Sequence, residues 1–159
     1  MKGSIRMKKN GKLIALITGA SKKMKTDKER KFRSKLFQSD IKIYADGVSE
    51  EYIQKCIKFF DSITGQQIAE RSREDFERLS EVSDLSKLED AAKGDGILDL
   101  ITLKVMHIDS DDGKDPSEIR FIVEGSAPWC DGYEIIVYDN RILHIGEYSG
   151  DYEQWRNGE

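Results

Sequence analysis

The chain is poor in the residue types that most often carry chemistry or cross-links. Its 159 residues include two histidines, two cysteines, two prolines and two tryptophans. So little proline argues against a Pro-rich linker or disordered tail. Cys56 and Cys130 lie far apart, form no C-x-x-C pair and have no histidines at zinc spacing, which excludes a disulfide scaffold and a zinc finger. Isolated cysteines suit a reducing compartment, so the cytoplasm is the expected location. No apolar run is long enough to span a bilayer, and no membrane partner is expected. The run Leu13–Ala20, behind the basic stretch Met7–Lys12, reads either as a first strand or as a marginal signal segment.

Charge is abundant but unevenly placed. Residues 1–40 carry 13 Lys/Arg against 3 Asp/Glu, whereas residues 41–159 carry 13 against 27, for a net charge of -4 overall. The leading lysines read as solvated faces of edge strands, or as a phosphate-binding segment. They lack the interleaved aromatics that stack bases, so nucleic acid ranks behind protein as a partner. Residues 1–11 read as a flexible basic arm on a single domain spanning 1–159.

Periodicity gives the fold class. Lys12–Thr18, the alternating stretch Lys31–Phe37 and Ile41–Ala45 read as strands, the last closed by Asp46-Gly47. Ser49 caps a helix reaching about Ile63, with Glu50 and Glu51 in its first turn. Ile68, Ala69, Ser72, Phe76, Leu79 and Val82 trace a second apolar stripe, and Leu85–Ala92 reads as a short third helix between Asp84 and Gly94. Ile97–Ile108, Ile119–Glu124, Tyr133–Tyr138 and Ile142–Glu147 complete the strands. Asp139-Asn140 makes a two-residue hairpin turn, placing Val137 opposite Ile142, Ile136 opposite Leu143 and Ile135 opposite His144. This hairpin is apolar on both faces, so it is expected inside the sheet. The prediction is an α+β domain: an antiparallel sheet of six to seven strands, with two to three helices inserted midway and packed on one face.

Local motifs yield little chemistry. ALITGASK, Ala15–Lys22, resembles the opening of the short-chain dehydrogenases, but lysines replace the later glycines, and the Tyr-x-x-x-Lys pair is missing. The loop Asp109–Asp115 fails as an EF-hand: counted from Asp109, Gly113 is fifth and Arg120 twelfth. It reads as a solvated hairpin loop, with a loose cation site as the alternative. Cys130 with His144 or His107, oriented by Asp131, is the only set for nucleophilic catalysis, and the adjacent carboxylate opposes thiolate formation. No cofactor or resident metal is expected.

The C-terminal part is the most individual. Trp129, Tyr133, Tyr138, Tyr148, Tyr152 and Trp155 are 6 of the 14 aromatics, lying among Asp131, Glu147, Asp151 and Glu153. Trp129, Asp131, Tyr148, Asp151, Tyr152 and Trp155 are therefore the candidate contact residues, suited to a basic protein partner.

The segment WCDGYEIIVYDNRILHIGEYSGDYEQW, after the strand IRFIVEG, is similar to the end of a family of small, uncharacterised bacterial proteins. There, a Trp-Asp turn leads into a hairpin ending in an Ile-Gly or Val-Gly step. IKIYADGVSEEYIQKCIKFFDS resembles the same family's strand and acidic-start helix. Trp129, Asp131 and Gly132 match the turn, whereas its Glu-His pair is absent. Some members look like immunity proteins encoded beside secreted toxins. The resemblance implies the fold and a bacterial, intracellular setting, with a toxin as one form the partner could take. The expected function is a non-enzymatic interaction module. A small hydrolase or transferase using Cys130 and His144, or nucleic-acid binding through the basic segment, are the alternatives.

Overall fold

Six strands form one mostly antiparallel sheet in sequential order: β1 Lys31–Arg33, β2 Asp40–Ala45, β3 Thr102–Ile108, β4 Phe121–Ala127, β5 Cys130–Tyr138 and β6 Arg141–Glu147. The computed structural model describes residues 29–110 and 112–150. From Lys31 onward these belong to one compact unit. The α+β class is as the periodicity predicts. The strand Lys12–Thr18, the basic arm and the signal-segment alternative lie outside the described residues.

The helices occupy the connection between β2 and β3, which are the one parallel pair among the described strands. A parallel neighbour demands a long crossover, and α1 (Glu50–Ser62) and α2 (Gly65–Ser80) supply it. Both begin on well-built caps. Ser49 accepts the Tyr52 amide, while Thr64 and Gln67 form a reciprocal capping box. Their apolar stripes place Ile53, Cys56, Phe60, Ile68 and Phe76 against Ile41, Ile43, Phe121, Val123 and Ile135 of the sheet. Phe60 stands edge-on to both Phe32 and Phe121, at 5.8 and 6.3 Å.

Several boundaries differ from the sequence reading, each for a local reason. β1 stops at Arg33 because Ser34 is buried and closes a turn: its Oγ accepts the Phe37 amide and its own amide reaches Ser39. α2 ends at Ser80, so Val82 lies beyond the stripe and is 79% exposed. Leu85–Ala92 is not an α-helix. It contains a 3-10 turn, Ser86–Leu88, because the Asp84 carboxylate bonds both the amide and the hydroxyl of Ser86. A second 3-10 segment, Gly94–Leu100, replaces the expected start of β3, with Ile97 fully buried.

The β5–β6 turn has positive φ at Asp139 (52°) and Asn140 (62°), as its two-residue length requires. Val137 faces Ile142 as expected, but a bulge at Leu143 moves Ile136 opposite His144 and Ile135 opposite Ile145. The hairpin is not interior: among the described residues β6 is an edge strand. Ile119 and Asn140 exchange bonds, so β4 begins two residues later than expected. β4 and β5 continue to a tight Pro128-Trp129 connection.

Gly125 sits where β4 passes between β3 and β5, beside the bulge at Leu103 and Val105. A Cβ there would lie 1.9 Å from the Thr102 carbonyl oxygen. The nearest atoms are all backbone of Thr102 and Leu103, which cannot swing aside as the end of a side chain can. Gly125→Ala is expected to destabilise the fold by about 3 kcal/mol, read as a lower urea midpoint; an unchanged midpoint would contradict this packing.

Candidate functional site

Three polar constellations stand on this scaffold. The first fastens α2 to the end of the sheet. Asp75, at a stripe position of α2, is 7% exposed. Its Oδ2 accepts Trp129 Nε1 at 3.0 Å and the Glu147 amide at 2.9 Å, while Oδ1 accepts Arg78 at 2.5 Å. Gly146 has φ +144° and leaves room for this approach, since a Cβ would lie 3.0 Å from Asp75 Cγ. Beside it, Ser72 and the Tyr133 hydroxyl are 2.6 Å apart, and Trp129 stacks edge-on to Phe76 and Tyr133.

The second constellation docks α1 onto the loop before β4. The buried Tyr52 hydroxyl donates to the Glu118 carbonyl at 2.7 Å and accepts the Arg120 amide at 3.1 Å. Arg120 pairs with Glu118 and Asp139, and its guanidinium lies 4.6 Å from the Tyr138 ring centre. In the acidic loop, Asp112 is turned inward and accepts the Asp109 amide at 3.1 Å, so it serves as a cap rather than a solvated side chain. Among the described residues, no group of three or more His, Cys, Asp or Glu is placed to hold a metal ion.

The third lies on the sheet face away from the helices. Tyr44, His107, Ile122, Ile136 and His144 follow one another across β2–β6 in register, and Glu124 faces Glu134 in the next row. His107 Nε2 lies 3.2 Å from Glu124 Oε1, with Tyr44 against its ring. Glu134 is fully buried. Its Oε2 accepts the amide and hydroxyl of Ser149 at 2.9 and 2.8 Å, and His144 Nε2 lies 3.9 Å away.

The catalytic pair of the alternative reading, Cys130 with His144, does not assemble. Cys130 packs against the helix-side core, whereas His144 stands with Glu134 on the opposite face. Burial, reinforced by Asp75, Glu147 and Asp131, pushes the Cys130 thiol up to about 12. Burial likewise pushes the fully enclosed Cys56 thiol up to about 12. These surroundings suppress thiolate, the opposite of an activated nucleophile. An open groove of about 470 Å³ beside β6 is lined by Phe59, Glu70, Arg71, Glu74 and Arg141, without either cysteine or histidine.

Of the predicted contact residues, Trp129 is corrected to a core residue: it is 5% exposed, and its ring and indole N–H are engaged by Phe76, Tyr133 and Asp75. Asp131 is exposed and Tyr148 is 57% exposed. These two are brought to one corner, where the Tyr148 amide donates to the Gly132 carbonyl at 2.9 Å. Asp151, Tyr152 and Trp155 lie outside the described residues. Sequence reasoning missed Asp75 and Glu134; the available signal was a carboxylate at a core-facing helical position and another within a strand apolar on both sides.

Comparison with protein-family models, curated proteins and solved structures finds no match to this chain. No helix among the described residues is long and apolar enough to cross a membrane.

Two outcomes are expected. Asp75→Ala strands two buried N–H groups and should cost about 3 kcal/mol, whereas Asp75→Asn retains an acceptor and should cost about half as much; equal losses in urea titrations would refute this role. Both thiols are raised above their unfolded values, so the stability they contribute is complete below the unfolded value and lost as pH rises through the folded one. Native-state alkylation should therefore be slow at neutrality and still accelerating at about pH 10; rapid neutral labelling of native protein would contradict it.

Proposed function

We propose that this protein is a non-enzymatic interaction module whose contact surface is centred on the corner formed by Asp131 and Tyr148. The observation carrying this reading is an exposed tyrosine fixed by its own backbone beside an exposed carboxylate. An amphipathic ring held in place loses little entropy on binding, and a neighbouring negative charge favours a cationic side chain. The burial and dispersal of the thiols and imidazoles support binding over catalysis by those groups.

A basic protein is the partner that fits. Residues 41–159 carry an excess of 14 negative charges, which would repel phosphates and steer a cationic surface inward. The resemblance to immunity-like bacterial proteins favours a toxin with a basic working surface, neutralised in the cytoplasm.

The test is capture from the native host with tagged wild-type protein and with the double variant Asp131→Lys, Tyr148→Ala. A specific partner should be recovered by wild type and reduced about tenfold by the variant, with folding checked by circular dichroism. Equal recovery by a folded variant, or no partner at low salt, sinks the proposal.

A further inference from the structure

The corner that carries Tyr148 holds the beginnings of an arrangement that is complete at the other end of the same hairpin. Next to the β5–β6 turn, the Arg120 guanidinium lies 4.6 Å from the Tyr138 ring centre and pairs with the carboxylates of Glu118 and Asp139. A guanidinium suits both contacts at once, because its flat face rests on the ring while its edge donates to the oxygens. At the open end of the hairpin, a ring and negative charge recur. Gly132 leaves room for Tyr148: a Cβ there would lie 3.2 Å from the Tyr148 Cβ, and one at Gly150 would lie 3.6 Å from its Cε1. The ring is thus backed by two glycines, yet it is largely open, with no cation over it among the described residues. The charge nearby is negative. Arg78 is shared between Asp75 and Glu147, while Asp131 is exposed and has no ion pair among the described residues. Beyond the effect of burial, all three of these carboxylates push the Cys130 thiol up, which places Asp131 in the same field.

We propose that this corner selects arginine: a guanidinium presented by the partner stacks on the open side of the Tyr148 ring, with Asp131 as the opposing charge. The inference deepens the reading of Asp131 and Tyr148 as a contact surface and rests on it. The carboxylate attracts lysine and arginine alike. The ring separates them. A guanidinium is planar, weakly hydrated and keeps its donors free while stacked, whereas an ammonium holds its water and has no face to lay on the ring. Arg120 on Tyr138 shows the same pairing within this chain. Backing the ring with Gly132 and Gly150 before binding reduces the entropy that stacking would otherwise cost. A bare acidic surface would show no preference between the two cations.

The test titrates the free protein at low salt with a short peptide of alternating glycine and arginine, and with its lysine counterpart of equal charge, followed by NMR. The arginine peptide should shift the Tyr148 ring signals with a midpoint about fivefold lower than the lysine peptide. Its arginine side-chain protons should move upfield and show contacts to the Tyr148 ring. Tyr148→Leu keeps Asp131, and in that variant the two peptides should have equal midpoints at the Asp131 amide. Equal midpoints in wild type, or an arginine preference that persists in Tyr148→Leu, overturn the proposal. So do shifts centred on the glutamates of α2 instead of on Tyr148. Should the variant not fold, the wild-type ring contacts decide, and their absence overturns arginine selection. Capture from the native host reads the other question separately. A partner recovered through the corner without arginine preference removes arginine selection alone, whereas arginine preference with no partner removes the interaction reading and leaves the chemistry of the corner standing.

Discussion

Asp75 reaches from α2 to two elements that the chain brings together only at its end: the indole of Trp129, just before β5, and the amide of Glu147, at the end of β6. One buried carboxylate thus satisfies two donors more than 50 residues away, and Arg78 shares its charge at the rim. Without it, the indole N–H and an edge-strand amide would be buried against an apolar helix. Unmade bonds of that kind cost more than made ones contribute. The rest of the β6 end follows from this contact. Gly146 adopts a φ suited to glycine, Trp129 turns inward, and the chain leaves the sheet at the Tyr148 turn. The Ile145-Gly146 step at the end of the hairpin thereby acquires a physical cause.

The two sheet faces have different tasks. The helix side is an apolar core in which several buried polar groups are bonded to one another or to backbone: Ser72 with Tyr133, Tyr52 with the β4 approach, and Asp75 with Trp129. The other face carries charge among apolar residues, with Ile122 and Ile136 buried beside two histidine–glutamate pairs. This separation works against a reactive centre. The raised thiol of Cys130 belongs to one face and the imidazole of His144 to the other, with a strand of backbone between them.

The candidate surface is a by-product of these constraints. Tyr148 is exposed on a turn whose backbone is held by the bonds of Ser149 to Glu134 and of Tyr148 to the Gly132 carbonyl. Trp129, expected to lie beside it, is drawn away because an indole can bury its area and satisfy its N–H at once next to Asp75. Composition alone treats both as aromatic anchors.

Helices α1 and α2, the Ser49 cap of the first, β2 and the Asp139-Asn140 turn were legible from sequence, since each depends on spacing and side-chain chemistry within a few residues. The parallel β2–β3 pair, the bulge at Leu143, the burial of Trp129 and the link between Asp75 and Glu147 were decided by tertiary structure. Each depends on which distant backbone or donor lies opposite, and a one-residue slip reverses a strand's faces without altering its pattern. What the linear chain determined was the set of elements and the shortage of reactive groups; where those groups stand relative to one another came from packing.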